Sequence, residues 1–169
     1  MEHRTSRFVV MGVSGAGKST VGEALAAHLG VPYADGDDLH PAANVAKMSA
    51  GHPLDDEDRQ PWLVAVGRWL AAQPDGAVVS CSALRRSYRE TLRAQADGIC
   101  FVHLVGPASV VAERVAGRPD HFMPPSLVAS QYADLEPLEA DEPGIAVPFV
   151  WPLDRIVGHA LNRLVTSVA

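Results

Sequence analysis

Short uninterrupted apolar runs alternate along the chain with stretches in which apolar residues recur every three or four positions. Residues 8–11 (FVVM) form a β-branched and aromatic run that stops at a glycine and reads as a buried strand. Val21, Leu25 and Leu29 then recur at helical spacing, and Gly30 stands where a helix C-cap belongs. Residues 31–34 predict a second, short strand ending in Asp35-Gly36-Asp37-Asp38, and Pro41 opens a short helix through Met48. The acidic run Asp55-Asp56-Glu57-Asp58 suits a helix N-terminus, and Trp62, Leu63, Val66, Trp69 and Leu70 mark one helical face. Pro61 predicts that this helix either starts near it or bends there. Residues 77–81 and 99–105 read as the third and fourth strands, with a helix lined by Leu84, Tyr88 and Leu92 between them.

The remaining order is a helix over 109–116, a loop over 117–125 rich in Pro, Arg and His, and a helix over 127–135. A Pro- and acid-rich stretch over 136–144 leads to a fifth strand over 145–151. Ile156, Val157, Ala160, Leu161 and Leu164 face inward from a last helix. Strands alternating with helices predict βαβ units and a parallel sheet covered on both faces, an α/β architecture of three layers. At 169 residues the expectation is one domain over 1–169, with an insert at about 38–62 and a lid at about 117–135.

Composition narrows the function classes. With 14 basic and 20 acidic residues the formal charge is −6, and an acidic protein makes a poor general binder of nucleic acid or anionic membrane. Any anionic ligand must be held by local devices. The two cysteines, Cys81 and Cys100, lie in apolar stretches and read as buried reduced thiols. No run approaches the ~18 continuous apolar residues of a membrane span, and the expected setting is cytoplasmic. The seven histidines show no metal-ligand spacing, and the three tryptophans read as core or pocket wall.

The strongest chemical signal is Gly12-Val13-Ser14-Gly15-Ala16-Gly17-Lys18-Ser19, which matches G-x-x-x-x-G-K-[ST] in full, between a strand and an amphipathic helix. Glycines let consecutive backbone N–H groups turn inward onto phosphate oxygens, and the helix N-terminus adds partial positive charge. Lys18 brings a full charge to the β- and γ-phosphates, the Ser19 hydroxyl suits Mg²⁺, and Thr20 can touch the α-phosphate. The pattern implies a bound nucleoside triphosphate.

In such a sheet, ligands collect at the carboxyl ends of the strands. There stand Asp35 and Asp37, Arg85 and Arg86, the loop from Arg118 to Met123, and Trp151 with Pro152. Two carboxylates two residues apart can divide metal binding from acceptance of a hydroxyl proton. Arg85, Arg86 and Arg89 read either as a solvated helix face or as a fork for a substrate carboxylate or phosphate. Arg114 and Arg118 flank a loop suited to a lid that excludes water and brings an arginine to the transferring group.

Beyond the phosphate loop, GVSGAGKST (residues 12–20), DGDDLHPAANVAKMSAGHPLDDEDRQPWL (35–63), CSALRRSYRETLR (81–93) and RPDHFMPPSLVASQYADLEPLEADEPG (118–144) together resemble the gluconate kinases of the thermoresistant type. These are relatives of shikimate kinase and the nucleoside monophosphate kinases. The resemblance implies a P-loop fold with five parallel strands in the order 2-3-1-4-5, a helical lid, ATP and Mg²⁺ dependence, and a homodimer. It also implies transfer of the γ-phosphate to the 6-hydroxyl of D-gluconate. By the same resemblance residues 12–20 hold the nucleotide with Arg114 and Trp151. Asp37 is the base or orienting carboxylate, and Asp35 joins Ser19 at the metal. Lys47, Arg59, Arg85, His121 and Gln131 contact the sugar acid, and Arg114 and Arg118 are lid arginines. Departures are small: Gln60 stands where an aromatic residue is expected, and Tyr132 where a Phe is usual.

Two other readings remain open at this level. Another small metabolite such as shikimate would fit the D-x-D and arginine pattern but leaves the polar stretch from His40 to Arg59 unexplained. A nucleotide-dependent switch without an acceptor would hydrolyse ATP slowly and ignore gluconate.

Overall fold

The computed structural model describes residues 6–117 and 125–166. Five strands, β1 (Arg7–Met11), β2 (Tyr33–Asp35), β3 (Ala77–Ser80), β4 (Ile99–Val105) and β5 (Gly144–Pro148), form one all-parallel sheet in the order β2-β3-β1-β4-β5. The helices are α1 (Lys18–Leu29), α2 (Ala42–Ser49), α3 (Asp56–Ala71), α4 (Arg86–Gln95), α5 (Ala108–Ala116), α6 (Pro125–Asp134) and α7 (Leu153–Thr166). A 3₁₀ turn over Gly36–Leu39 joins β2 to α2. This is the α/β alternation expected from the sequence pattern and the strand order that the resemblance implied.

The central strand shows how the period of two distributes the core. Phe8 and Val10 point to one face of the sheet, where they meet Val21, Leu25, Val111, Ile156 and Val157 from α1, α5 and α7. Val9 and Met11 point to the other, against Trp62, Leu63, Val66 and Leu70 of α3 and Leu92 of α4. Both faces are thus buried, which is why β1 reads as a continuous apolar run rather than an alternating one. Among the described residues no helix is long and apolar enough to cross a membrane.

Pro61 neither starts α3 nor stands near its first residue. The helix begins at Asp56 because Asp55 and Asp58 form a capping box, Asp55 Oδ1 accepting from the Asp58 N–H (2.8 Å) and Asp58 Oδ2 from the Asp55 N–H (3.0 Å). Asp56, Glu57 and Asp58 fill the first turn, where the helix dipole favours negative charge. The cap therefore outweighs the proline. Pro61 and Glu57 are both exposed, so water can satisfy the Glu57 carbonyl that the missing N–H leaves free.

Candidate active site

The loop between β1 and α1 adopts the shape its glycines permit. Gly15 (φ 84°) and Gly17 (φ 94°) lie in the left-handed region, and Gly17 serves as the N-cap of α1. Gly12 passes so close to β4 that a Cβ there would stand 3.0 Å from the Leu104 carbonyl. The Gly12 N–H donates to Ser82 O (3.2 Å), which ties the loop to the end of β3. Lys18 folds back over the loop and donates from Nζ to Val13 O (3.0 Å).

Facing the loop across a cavity of about 500 Å³ are Asp35 and Asp37, His40, Leu54, Arg59, Trp62, and Ser80, Cys81 and Ser82. Arg114, Val115 and Gln131 close the other side. The Ser19 hydroxyl lies 3.4 Å from Asp35 Oδ2, while Asp35 Oδ1 accepts from the Asp37 N–H (3.0 Å). This last bond makes Asp35 the cap of the 3₁₀ turn and anchors the backbone of Asp37. Hard oxygens from Ser19 and Asp35 beside a phosphate cradle fit Mg²⁺, which takes one or two protein oxygens and completes its shell with phosphate and water.

Electrostatics divides the pair. The Asp37 side chain keeps access to solvent in the cleft, yet the surrounding walls desolvate it. Desolvation raises its pKa above the ordinary carboxylate value and the Asp35 charge adds to this, while Lys18 and His40 oppose it. Lys18 is shifted the other way: burial lowers its pKa, and Asp37 and Asp35 pull it back up. Burial also pushes the Cys81 thiol up to about 12, so it lines the cavity as an inert neutral group.

The structure sorts the remaining candidates. Arg59 lines the cavity, within 3.3 Å of the Tyr88 hydroxyl and 3.6 Å of Asp56. Gln131 also lines it and grips the phosphate loop, accepting from the Ser14 N–H (2.6 Å) and donating to Ser14 Oγ (3.0 Å). Arg114 donates to the Gly15, Ala16 and Phe149 carbonyls and stacks on the Phe149 ring. It therefore braces the loop from beneath as well as bordering the cleft. Lys47 is held by Asp58 (2.5 Å) at the start of α3, and Arg85 by Asp134 (2.7 Å) of α6; neither is among the cavity's lining residues. Arg86 is bound by Glu90, Glu139 and Asp141. Trp151 follows β5 and packs against Arg155 and His159 rather than lining the cavity. Arg118 and His121 lie outside the described residues.

Sequence reasoning passed over His40, since ligand spacing is the wrong test for a single imidazole at a pocket wall. The available signal was its place three residues after Asp37. It also offered a solvated face as one reading of Arg89, which is in fact fully buried in a bidentate pair with Glu142.

A phosphate cradle on the central strand of a 2-3-1-4-5 parallel sheet, with a carboxylate opposite its lysine, defines a P-loop kinase of small molecules. The sequence model of the shikimate kinase family matches residues 14–139. The chain is 52% identical to a gluconokinase of Gluconobacter oxydans, over 86% of this chain and 87% of that one. It is 37% identical to the thermoresistant gluconokinase of Escherichia coli, over 92% and 91%. A crystal structure of a gluconokinase from Sinorhizobium meliloti superposes with a TM-score of 0.87 at 49% identity, covering 98% of this chain and 96% of that one. The shikimate kinase of Aquifex aeolicus, at 18% identity and a TM-score of 0.57, shares the fold. The chain belongs to the gluconokinase family.

Proposed function

We propose that this protein transfers the γ-phosphoryl group of ATP to the 6-hydroxyl of D-gluconate, giving 6-phosphogluconate and ADP. The observation that carries the reading is one cavity in which Lys18 faces Asp37, in a chain 37–52% identical to named gluconokinases. The amides of residues 12–20 hold the phosphates, with Lys18 over the group in transfer. Ser19 and Asp35 would hold Mg²⁺, which when bound would supply charge neutralisation to the phosphates. Asp37 accepts the proton of the attacking hydroxyl as the O–P bond forms and the bond to ADP breaks. Its raised pKa brings its basicity closer to that of a hydroxyl losing its proton.

Of the cations assigned to the sugar acid, Arg59 is the one whose place in the cavity suits the gluconate carboxylate. Lys47 and Arg85 would first have to leave their aspartates. Arg118 and His121, in the segment between α5 and α6, join the site in this reading as a lid arginine and a sugar-acid contact. The protein works as a single domain with an insert at about 38–62 and a lid at about 117–135, as a homodimer in the cytoplasm.

The test is ADP release measured against a panel of polyhydroxy acids. Gluconate should raise turnover far above the rate with ATP alone, and equal rates would reject the reading. Asp37→Asn should lower kcat about 10²-fold or more with a much smaller change in gluconate KM; a change confined to KM would make Asp37 a binding group. Because the base must be ionised, kcat/KM should fall with decreasing pH through a value raised above that of an ordinary aspartate. A wild-type profile with no such acid limb contradicts that assignment.

A further inference from the structure

His40 lines the cavity near Asp37 and Arg59, and its ring is held from two sides. It stacks on Trp62 with centroids 4.3 Å apart and planes 14° from parallel. Trp62 is itself immobilised, 4% exposed, with its Nε1–H donating to Gly36 O (2.7 Å). The third member is Asn44, 4% exposed, whose Nδ2 lies 2.8 Å from Asp58 O and 3.3 Å from His40 Nδ1. A backbone carbonyl only accepts, so that corner of the Asn44 amide is its NH₂. Its second hydrogen then goes to His40 Nδ1, which must carry a lone pair. The hydrogen of a neutral imidazole is left on Nε2. The ionisable neighbours are Asp37, Arg59 and Lys18 across the cavity, with Asp58 behind Asn44. Burial favours the neutral ring, Asp37 opposes it and Arg59 supports it, with the pKa net below the ordinary histidine value.

We propose that His40 is a specificity-determining residue of the acceptor site, its Nε2–H donating a hydrogen bond to a hydroxyl of the polyhydroxy acid. The inference rests on the gluconate reading above and adds a recognition group to it. A donor held by a stacked tryptophan and a buried amide cannot turn away, so an acid lacking the partner hydroxyl leaves it unpaired once water is excluded. Sites built to hydrogen-bond a hydroxyl reject analogues without it for this reason.

Steady-state kinetics of the wild type and of His40→Ala, His40→Gln and His40→Asn test it, with gluconate and a series of monodeoxy gluconates as acceptors. His40→Ala should raise gluconate KM about 10-fold while ATP KM changes less than about twofold. The Gln amide reaches the place of Nε2 and should recover much of the loss, whereas Asn places its amide near Nδ1 and should not. On the one deoxy acid that lacks the partner hydroxyl, wild type and His40→Ala should have equal KM. A gluconate KM unmoved by His40→Ala, parallel increases for gluconate and ATP, or equal behaviour of the Gln and Asn variants would each overturn it. If the alanine variant does not fold, the Gln and Asn comparison decides alone. Failure of the gluconate reading itself shows separately, as wild-type protein indifferent to gluconate.

Discussion

Lys18→Ala is expected to lower kcat/KM for ATP-dependent phosphorylation by at least about 10²–10³-fold, equivalent to about 3–4 kcal/mol of transition-state stabilisation. The lysine is held at the phosphate loop by its bond to Val13 O, and burial has already stripped part of its hydration, as its lowered pKa records. A charge desolvated and oriented before substrate arrives needs no reorganisation as negative charge shifts toward the leaving oxygen. Alanine leaves that charge to the loop amides alone. Removal of an attracted pair with Asp37 and Asp35 should cost the fold little, so thermal unfolding should stay within a few degrees of wild type. A variant with near-normal kcat would remove Lys18 from the mechanism, and one that is simply unfolded would show it in the melt.

Arg89→Met is expected to be strongly destabilising, by about 3–5 kcal/mol, because it leaves the Glu142 carboxylate buried without its partner. Arg89 and Glu142 are 0% and 1% exposed. Nε donates to Oε1 (2.6 Å) and Nη2 to Oε2 (3.0 Å), while Nη1 donates to Ala83 O (2.9 Å). That last bond matters because Ala83, at φ 44°, is the one non-glycine residue with positive φ among the described residues. It lies at the turn that presents Ser82 to the cleft. Against a total stability of ~5–15 kcal/mol the loss is large, and urea unfolding should show it. The double variant Arg89→Met/Glu142→Leu should regain most of it, since the desolvated charge is gone. An unchanged unfolding midpoint for Arg89→Met would show that the pair contributes nothing.

The same region sets acid sensitivity. Burial tends to raise the Glu142 pKa, but hydrogen bonds from Arg89 and the Glu139 N–H outweigh it and hold it below the ordinary value. His103 is kept neutral by burial and then by the Arg89 charge, its pKa lowered from 6.5 to about 4. Both groups bind protons more tightly when unfolded. Their contribution is therefore present at neutral pH and declines as pH falls, first between about 6.5 and 4 for His103 and then below the ordinary glutamate range for Glu142. Urea midpoints measured from pH 7.5 to 4 should fall through that window, and a flat series would contradict it.

The parts of the molecule governed by neighbours in the chain were legible before any coordinates. The phosphate loop needs a strand end, left-handed glycines and a helix start, all within about ten residues, and each leaves its mark in the residue types. Gly30 capping α1 follows from local backbone preference in the same way. Apolar periods settled the α/β alternation, and the family resemblance supplied the strand order. The start of α3, at the acidic run that suited a helix N-terminus, was also a local contest, in which the Asp55–Asp58 box outweighed the proline.

What the tertiary structure alone decided is which charged groups are free to act. Lys47, Arg59, Arg85 and Arg89 look alike in sequence, as cations among polar residues. Their fates depend on Asp58, Tyr88, Asp134 and Glu142, brought to them from 11 to 53 positions away. Local pattern cannot report such a partner, because desolvation and pairing are set by what packs against a side chain, not by what precedes it. His40 became a candidate recognition group for the same reason, through a tryptophan and an asparagine that only the folded chain sets around its ring.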